Sequence, residues 1–532
     1  MTWSSARTLA LLIALHMTGD VAAAQVKTQS GPVEGTESGD GRIRVFRGIP
    51  FAAPPVGELR WQAPRPVAPW QEVRKATAFG NRCMQAPIFS DMIFRDEVSE
   101  DCLYLNVWTP ARAATERLPV MVWIYGGGFQ AGSASEPRQD GEKLAGTGVV
   151  VVSFNYRLGV FGFLAHPELT RESGHNASGN YGLLDQIAAL QWVKTNIAAF
   201  GGDPGRVTIF GESAGSFAVS ALMASPPAQG LFHRAIGESG AFFNTGSGAL
   251  APGTLAASEA SGVTFAQSIG APSLAALRAK PAADVLQAAA KGPGRWFAPM
   301  IDGFVLPRNV PAIYADGKQS HVPLLAGWNA DEVRSSVILA KEQATAAAFV
   351  ERTRKQFGAD ADALLKAYPA GSDAEALESA ASLGTDLFIA YATWKWIEMH
   401  RQTGGSPVYR YRFDRTIPIA PGTTVNGLAA TAKDIGARHA GEIEYVFGTL
   451  DSVPNVTWEE SDRKLSALMM SYWSTFARSA DPNGPGLPKW PGYDEATGDQ
   501  VMHLDVQTGA KPATDRARYE VLDAISAKTR TN

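Results

Sequence analysis

Apolar positions along the chain follow two alternating rhythms. Short runs that are wholly apolar or β-branched, at Leu103–Trp108, Val120–Tyr125, Gly148–Tyr156 and Val207–Phe210, read as strands covered on both faces. From Gly182 to Phe200 the apolar residues Leu183, Leu184, Ile187, Leu190, Val193 and Ile197 instead recur near the helical period. Strands alternating with helices predict an α/β fold, with a mostly parallel twisted sheet and helices on both faces. Strand patterns return at Val322–Gly327 and Val408–Phe413, while two Ala-rich stretches, Thr254–Lys291 and Lys341–Tyr368, read as helical insertions on the surface. Upstream, Val26–Phe51 alternates around Gly31, Gly35 and Gly39-Asp40-Gly41, the pattern of an antiparallel hairpin. No internal repeat or low-complexity linker divides the chain, so residues 25–532 are expected to form a single domain.

One junction between the rhythms carries chemistry. The run Val207–Phe210 leads into Gly211-Glu212-Ser213-Ala214-Gly215, and Phe217, Val219, Leu222 and Met223 then mark one face of a helix. A sharp strand-to-helix turn strains its middle residue, and glycines two positions either side remove the Cβ atoms that would clash. Ser213 is thereby exposed at the carboxyl edge of the sheet, above a helix N-terminus with free N–H groups.

A serine hydroxyl needs a base, and the base needs a group to orient it. In folds built on this turn the order along the chain is serine, acid, histidine. His400, His439 and His503 lie far enough beyond Ser213 to leave room for the acid. His439 sits in a glycine-flanked loop before Ile443–Phe447, whereas His400 lies in a helical stretch and His503 in a polar C-terminal tail. Asp331 and Glu332, directly after the strand at Val322–Ala326, both qualify as the acid by position. Gly126-Gly127-Gly128 follows its own strand, where backbone N–H groups can approach a substrate oxygen, and the Ala214 N–H supplies a further donor.

Composition narrows the setting. The chain has 532 residues, 45% hydrophobic and 19% charged, with a net charge of −4 and no long run of one sign, which gives no footing for nucleic acid or an anionic membrane. Met1–Ala24 has one early charge at Arg7, an apolar stretch Leu9–Met17 and an Ala22-Ala23-Ala24 site before Gln25, the pattern of a cleavable export signal; the alternative is an uncleaved anchor. The two cysteines, Cys83 and Cys102, then read as one disulfide, with two free thiols as the alternative. Two cysteines exclude a cysteine-cluster metal site, and neither a metal nor a cofactor is expected.

These motifs together resemble the type-B carboxylesterases of the α/β-hydrolase fold, which include bacterial para-nitrobenzyl esterases, fumonisin esterases and, more distantly, cholinesterases. The likeness runs from about Val26 to Tyr493. It takes in Arg47-Gly48-Ile49-Pro50-Phe51-Ala52, the stretch Ser99–Trp108 around Cys102, Trp123–Phe129, Asn155–Leu164, Gly179–Gln186, Phe200–Pro204, Phe210–Gly215 and His439–Gly448. The resemblance implies Ser213 as nucleophile, Glu332 as acid and His439 as base, with Gly127, Gly128 and Ala214 as the oxyanion hole. It also implies a Cys83–Cys102 disulfide, the ion pairs Arg60–Glu100 and Arg157–Asp185, and a role for Glu212 that is either electrostatic support of the imidazolium or a structural hydrogen bond. Val333 stands where the family usually has glycine, so the acid loop is expected to differ in shape. The loop Met84–Asp101 holds no tryptophan, so neither a cholinesterase-like cation site nor activity on choline esters is expected.

The expected function is a serine carboxylesterase, exported to the periplasm or outside a bacterial cell, acting on a small-molecule ester. Two other readings are a specialised hydrolase of a bulky ester (a mycotoxin such as fumonisin, an aromatic polyester or a carbamate) and, least favoured, a non-catalytic binding protein on the same scaffold. Trp296, Phe297, Phe388, Trp394 and Trp396 are candidate pocket walls, with the core as the alternative place for aromatic residues in helices. Asn176 and Asn455 fit the glycosylation sequon and are expected to stay unmodified.

Overall fold

The computed structural model describes residues 25–89, 92–94, 96–243, 252–291, 297–339, 344–425, 428–454 and 456–531. The expected export signal Met1–Ala24, Trp296, the start of the second Ala-rich stretch at Lys341 and the Asn455 sequon lie outside them.

The core is an 11-stranded mixed sheet. In chain order its strands are β1 (Thr36–Glu37), β2 (Arg44–Pro50), β3 (Tyr104–Thr109), β4 (Leu118–Ile124), β5 (Val150–Phe154), β6 (Gly202–Glu212), β7 (Arg234–Glu238), β8 (Leu324–Asn329), β9 (Val408–Phe413), β10 (Gln500–Leu504) and β11 (Gly509–Pro512). Across the sheet the order is β11-β10-β9-β8-β7-β6-β4-β5-β3-β2-β1. The block from β10 to β5 is parallel, and antiparallel pairs close both ends. Every residue of β5 and β8 is buried, which explains their largely apolar character. Helices Tyr181–Asn196, Ala214–Ala224, Tyr391–Thr403 and Glu460–Ser479 pack around this sheet. This is the mostly parallel sheet with packed helices that the alternation of patterns predicts, and it agrees with the α/β-hydrolase fold that the resemblance implies.

Several elements differ from the sequence reading, each for a local reason. Val26–Phe51 forms two hairpins: Gln25–Lys27 pairs with Pro32–Glu34 in a small separate sheet, and β1 with β2 at the edge of the large one. The chain changes sheets at Gly35, where an added Cβ would lie 2.4 Å from the Val45 carbonyl oxygen. The first Ala-rich stretch is three helices, Leu255–Ser268, Leu274–Arg278 and Ala282–Lys291, interrupted near Gly270 and Pro281. The second contains Ala346–Phe357 and Ala361–Ala367, separated at Gly358. The supposed polar tail around His503 is β10, and His503 Nδ1 meets Asp414 Oδ2 at 2.5 Å.

The C-terminal helix Arg516–Thr531 is fastened to the sheet by a buried charge. Arg410 on β9 donates to Asp515 Oδ2 at 2.5 Å, just ahead of the helix, while its guanidinium lies 4.4 Å from the Trp328 ring centroid. Trp394, expected as a pocket wall, packs on Tyr519 of the same helix at 5.3 Å. Trp396 donates to Tyr314 Oη at 2.9 Å. Both tryptophans are core residues: two positions apart on the helix Tyr391–Thr403, they point to different neighbours, Trp394 to the C-terminal helix and Trp396 to Tyr314. Among the described residues no helix is long and apolar enough to cross a membrane.

Candidate active site

Ser213 joins β6 to the helix Ala214–Ala224 with φ 52° and ψ −123°, a conformation rarely open to a non-glycine residue. Its strain is held by hydrogen bonds on both sides: Ser213 N–H to the Glu238 carbonyl at 2.8 Å, and Phe217 N–H to the Ser213 carbonyl at 2.9 Å. Close packing of the elbow on β4 explains the flanking glycine, since a Cβ on Gly215 would lie 1.9 Å from the Ile124 carbonyl oxygen. Beneath, Trp123 meets Phe210 of β6 at 4.8 Å and Phe447 at 4.9 Å. Phe447 ends the helix Ile443–Phe447 that follows the His439 loop, so one aromatic cluster fixes elbow and loop together.

Three side chains meet at this point. His439 Nε2 is 2.9 Å from Ser213 Oγ, and His439 Nδ1 is 2.6 Å from Glu332 Oε2. The other Glu332 oxygen accepts from Ser239 Oγ–H at 2.6 Å and Asn329 N–H at 2.7 Å. Asp331, equally placed in the sequence, turns the other way. It accepts from Ala437 N–H at 2.9 Å and donates its own N–H to the Ala437 carbonyl at 3.0 Å, clasping the acid loop to the histidine loop. Val333 is accommodated by a small neighbour: a Cβ on Gly384 would come within 2.9 Å of its Cγ2.

The glycine loop lies against the elbow. A Cβ on Gly126 would fall 2.8 Å from the Glu212 carbonyl oxygen and 3.1 Å from Ser213 Cβ. Gly127 and Gly128 take φ of 98° and 63°, and Gly127 has Ala131 O only 2.1 Å from the position of a Cβ. Only glycine fits there. Ala214 begins the elbow helix directly after Ser213, and Gly127 and Gly128 follow Gly126 in the loop that packs against the elbow.

A second layer of acids surrounds the histidine. Glu212 Oε1 is 3.3 Å from His439 Nε2. Burial disfavours the imidazolium, but Glu212 and then Glu332 outweigh it and lift His439 to about 9. Burial lifts Glu212 to about 8, against the pull of His439. Glu442 is raised to about 7 by burial and the neighbouring Glu332, although Asn329 Nδ2 donates to it at 2.5 Å. Ser239, Glu238 and Glu442 were not singled out from the sequence. Ser239 and Glu238 lie at the tip of β7, a strand the patterning missed, and no local spacing marks a contact across two strands.

The remaining expectations are also located. Cys83 and Cys102 form a disulfide with Cα atoms 4.9 Å apart. Arg60 grips Glu100 through two bonds of 2.5 and 2.6 Å, and Arg157 grips Asp185 at 2.8 and 2.7 Å. Phe388 stands edge-on to His439 with ring centroids 5.1 Å apart and is 40% exposed, as a wall residue should be. Phe297 is mostly buried, and its carbonyl accepts from Gln130 Nε2–H at 2.5 Å. His400 is buried in its helix, where Nε2–H donates to the Val322 carbonyl at 2.8 Å.

Residues 22–522 match the model of the carboxylesterase family. The chain is 38% identical over 508 residues to fumonisin B1 esterase of Sphingopyxis macrogoltabida, covering 91% of this chain and 86% of that protein. It is also 38% identical over 496 residues to para-nitrobenzyl esterase of Bacillus subtilis (strain 168), covering 90% and 94%. A solved para-nitrobenzyl esterase superposes with a TM-score of 0.77 at 34% identity, covering 94% of this chain and 99% of that one. With an elbow serine, an α/β-hydrolase sheet and these relatives, the chain belongs to the carboxylesterase family and is a carboxylic ester hydrolase.

Proposed function

We propose that the protein is an exported, cofactor-independent serine carboxylesterase working through Ser213, His439 and Glu332. What carries the reading is the single hydrogen-bonded line from Ser213 Oγ through the imidazole to Glu332. His439 takes the Ser213 proton as the oxygen attacks the ester carbonyl. The tetrahedral oxyanion is received by the N–H groups of Gly127, Gly128 and Ala214, a type of contact worth ~10²–10³ in rate for each donor. The alkoxide then leaves with the proton from His439, and water removes the acyl group by the same route. Glu332, fixed by Ser239 and Asn329, holds the imidazole with Nδ1 protonated, and Glu212 adds negative charge where the imidazolium forms. Residues 25–532 act as one catalytic unit. The leader pattern of Met1–Ala24 and the Cys83–Cys102 bond support export to an oxidising compartment.

The test is hydrolysis of 4-nitrophenyl esters from acetyl to dodecanoyl by the mature protein beside Ser213→Ala. A loss of ~10⁴ or more in the variant is expected, because binding and oxyanion effects alone remain. Equal rates for the two proteins would sink the reading. The 38% identity to fumonisin B1 esterase supports a second reading, a specialised hydrolase of a bulky ester. A kcat/KM on fumonisin B1 well above that on every 4-nitrophenyl ester would favour it.

A further inference from the structure

Glu238 ends β7 fully buried, at a corner that touches both the nucleophile and the acid. Its carbonyl receives the Ser213 N–H. The next residue, Ser239, donates its hydroxyl to Glu332 and its N–H to the Gly327 carbonyl at 2.9 Å. The Glu238 side chain anchors this corner to the helix Glu460–Ser479, because Oε1 accepts from Trp473 Nε1–H at 2.8 Å. Its other oxygen, Oε2, has no hydrogen-bond partner among the described residues.

The groups that act on this carboxyl are themselves acids, Glu442 and Glu212. Tyr411 from β9 lies under the influence of Glu442, Glu238, Glu332 and Glu212. Its buried hydroxyl also lacks a partner among the described residues, as does Glu442 Oε1. The cations acting here are His439, bound to Glu332 and Glu212, and Arg138, which acts on Glu212. An ionised Glu238 would therefore be fully buried beside two further carboxyls, with one indole N–H to hold it. Burial of that kind neutralises a carboxyl group. Burial first and Glu442 second do raise its pKa well above the ordinary value.

We propose that Glu238 is a positioning residue that works as a neutral carboxylic acid, holding the corner between Ser213 and Glu332 without adding charge to the acid cluster under His439. As an acid it still accepts from Trp473, and it leaves Oε2, which has no hydrogen-bond partner among the described residues, without a charge to satisfy. Its proton leaves the charge that His439 senses to Glu212 and Glu332. The proposal rests on the esterase reading only for its kinetic arm.

The experiment compares wild type, Glu238→Gln and Glu212→Gln by infrared spectroscopy and by the pH dependence of kcat/KM on 4-nitrophenyl butyrate. At neutral pH the wild type should show the carbonyl stretch of buried protonated carboxylic acids, and the wild-type-minus-E238Q difference spectrum should contain one such band, separate from any that Glu212 and Glu442 contribute. The midpoint of the acidic limb should stay in place in E238Q and fall in E212Q. A wild-type spectrum from which E238Q removes no such band would overturn the proposal. So would an E238Q midpoint that falls as far as that of E212Q. If E238Q does not fold, Glu238→Met gives both readouts with a side chain of similar length. The infrared arm needs no substrate, so a protein inactive on esters would fail the esterase reading while the band still decides this one.

Discussion

Replacing Glu212 by glutamine tests how the acid layer tunes the base. The substitution keeps the shape and removes the charge 3.3 Å from His439 Nε2. Coulomb's law at that distance gives about 5 kcal/mol at an effective dielectric near 20 and about 1.3 kcal/mol in water-like surroundings. His439 is partly exposed, and Glu212 itself rises to about 8, so its charge is incomplete near neutrality. A net loss of about 2 kcal/mol follows, equivalent to roughly 1.5 pH units on the imidazole. The sign is set by the role of the base. Only neutral imidazole accepts the serine proton, so kcat/KM climbs as pH rises through the His439 pKa. Losing Glu212 lowers that pKa and moves the acidic limb to lower pH. The same charge supports the imidazolium of the transition state, so the plateau should also fall, by roughly 10- to 30-fold. The assay is kcat/KM for 4-nitrophenyl butyrate from pH 5 to 10. A limb that stays put or moves upward, with an unchanged plateau, would refute electrostatic support and leave Glu212 a structural hydrogen-bonding residue.

Glu332→Gln should lower kcat by ~10²–10⁴ with little change in KM, because Nδ1 loses the acceptor that fixes its tautomer; steady-state kinetics will show it. Cys102→Ser opens a loop of sequence separation 19 and should cost about 3 kcal/mol, read as a lower Tm that wild type reproduces under reductant. Arg410→Met leaves Asp515 buried without its cation and should cost about 3–5 kcal/mol by denaturant unfolding. The pair R410M with Asp515→Leu should recover much of that loss, which a purely steric defect would not.

The parts of this molecule that were legible in the sequence are those whose cause is local. Gly215 is required by a carbonyl one strand away, but the requirement appears as a spacing inside five residues. The strands β4, β5, β8 and β9 and the second half of β6 were legible because burial leaves them rich in apolar and aromatic residues. Position alone could not separate Asp331 from Glu332, since adjacent residues at a strand end differ only in which loop each faces; the family resemblance chose Glu332, and the geometry gives Asp331 a clasp to Ala437. Ser239, Glu238 and Glu442 stayed invisible because their partners sit on other strands. His503 misled for the opposite reason: β10 lies near the edge of the sheet, where a strand can carry polar residues.

His439 lies 226 residues from Ser213 and 107 from Glu332 along the chain. No fragment that stops short of residue 439 can close this triangle, however native its helices. Chain closure over such separations is entropically costly and slow compared with the formation of single helices. During refolding from denaturant, far-ultraviolet signal should therefore return well before ester turnover. Ester turnover reports when these long-range contacts are complete, which helix formation alone does not.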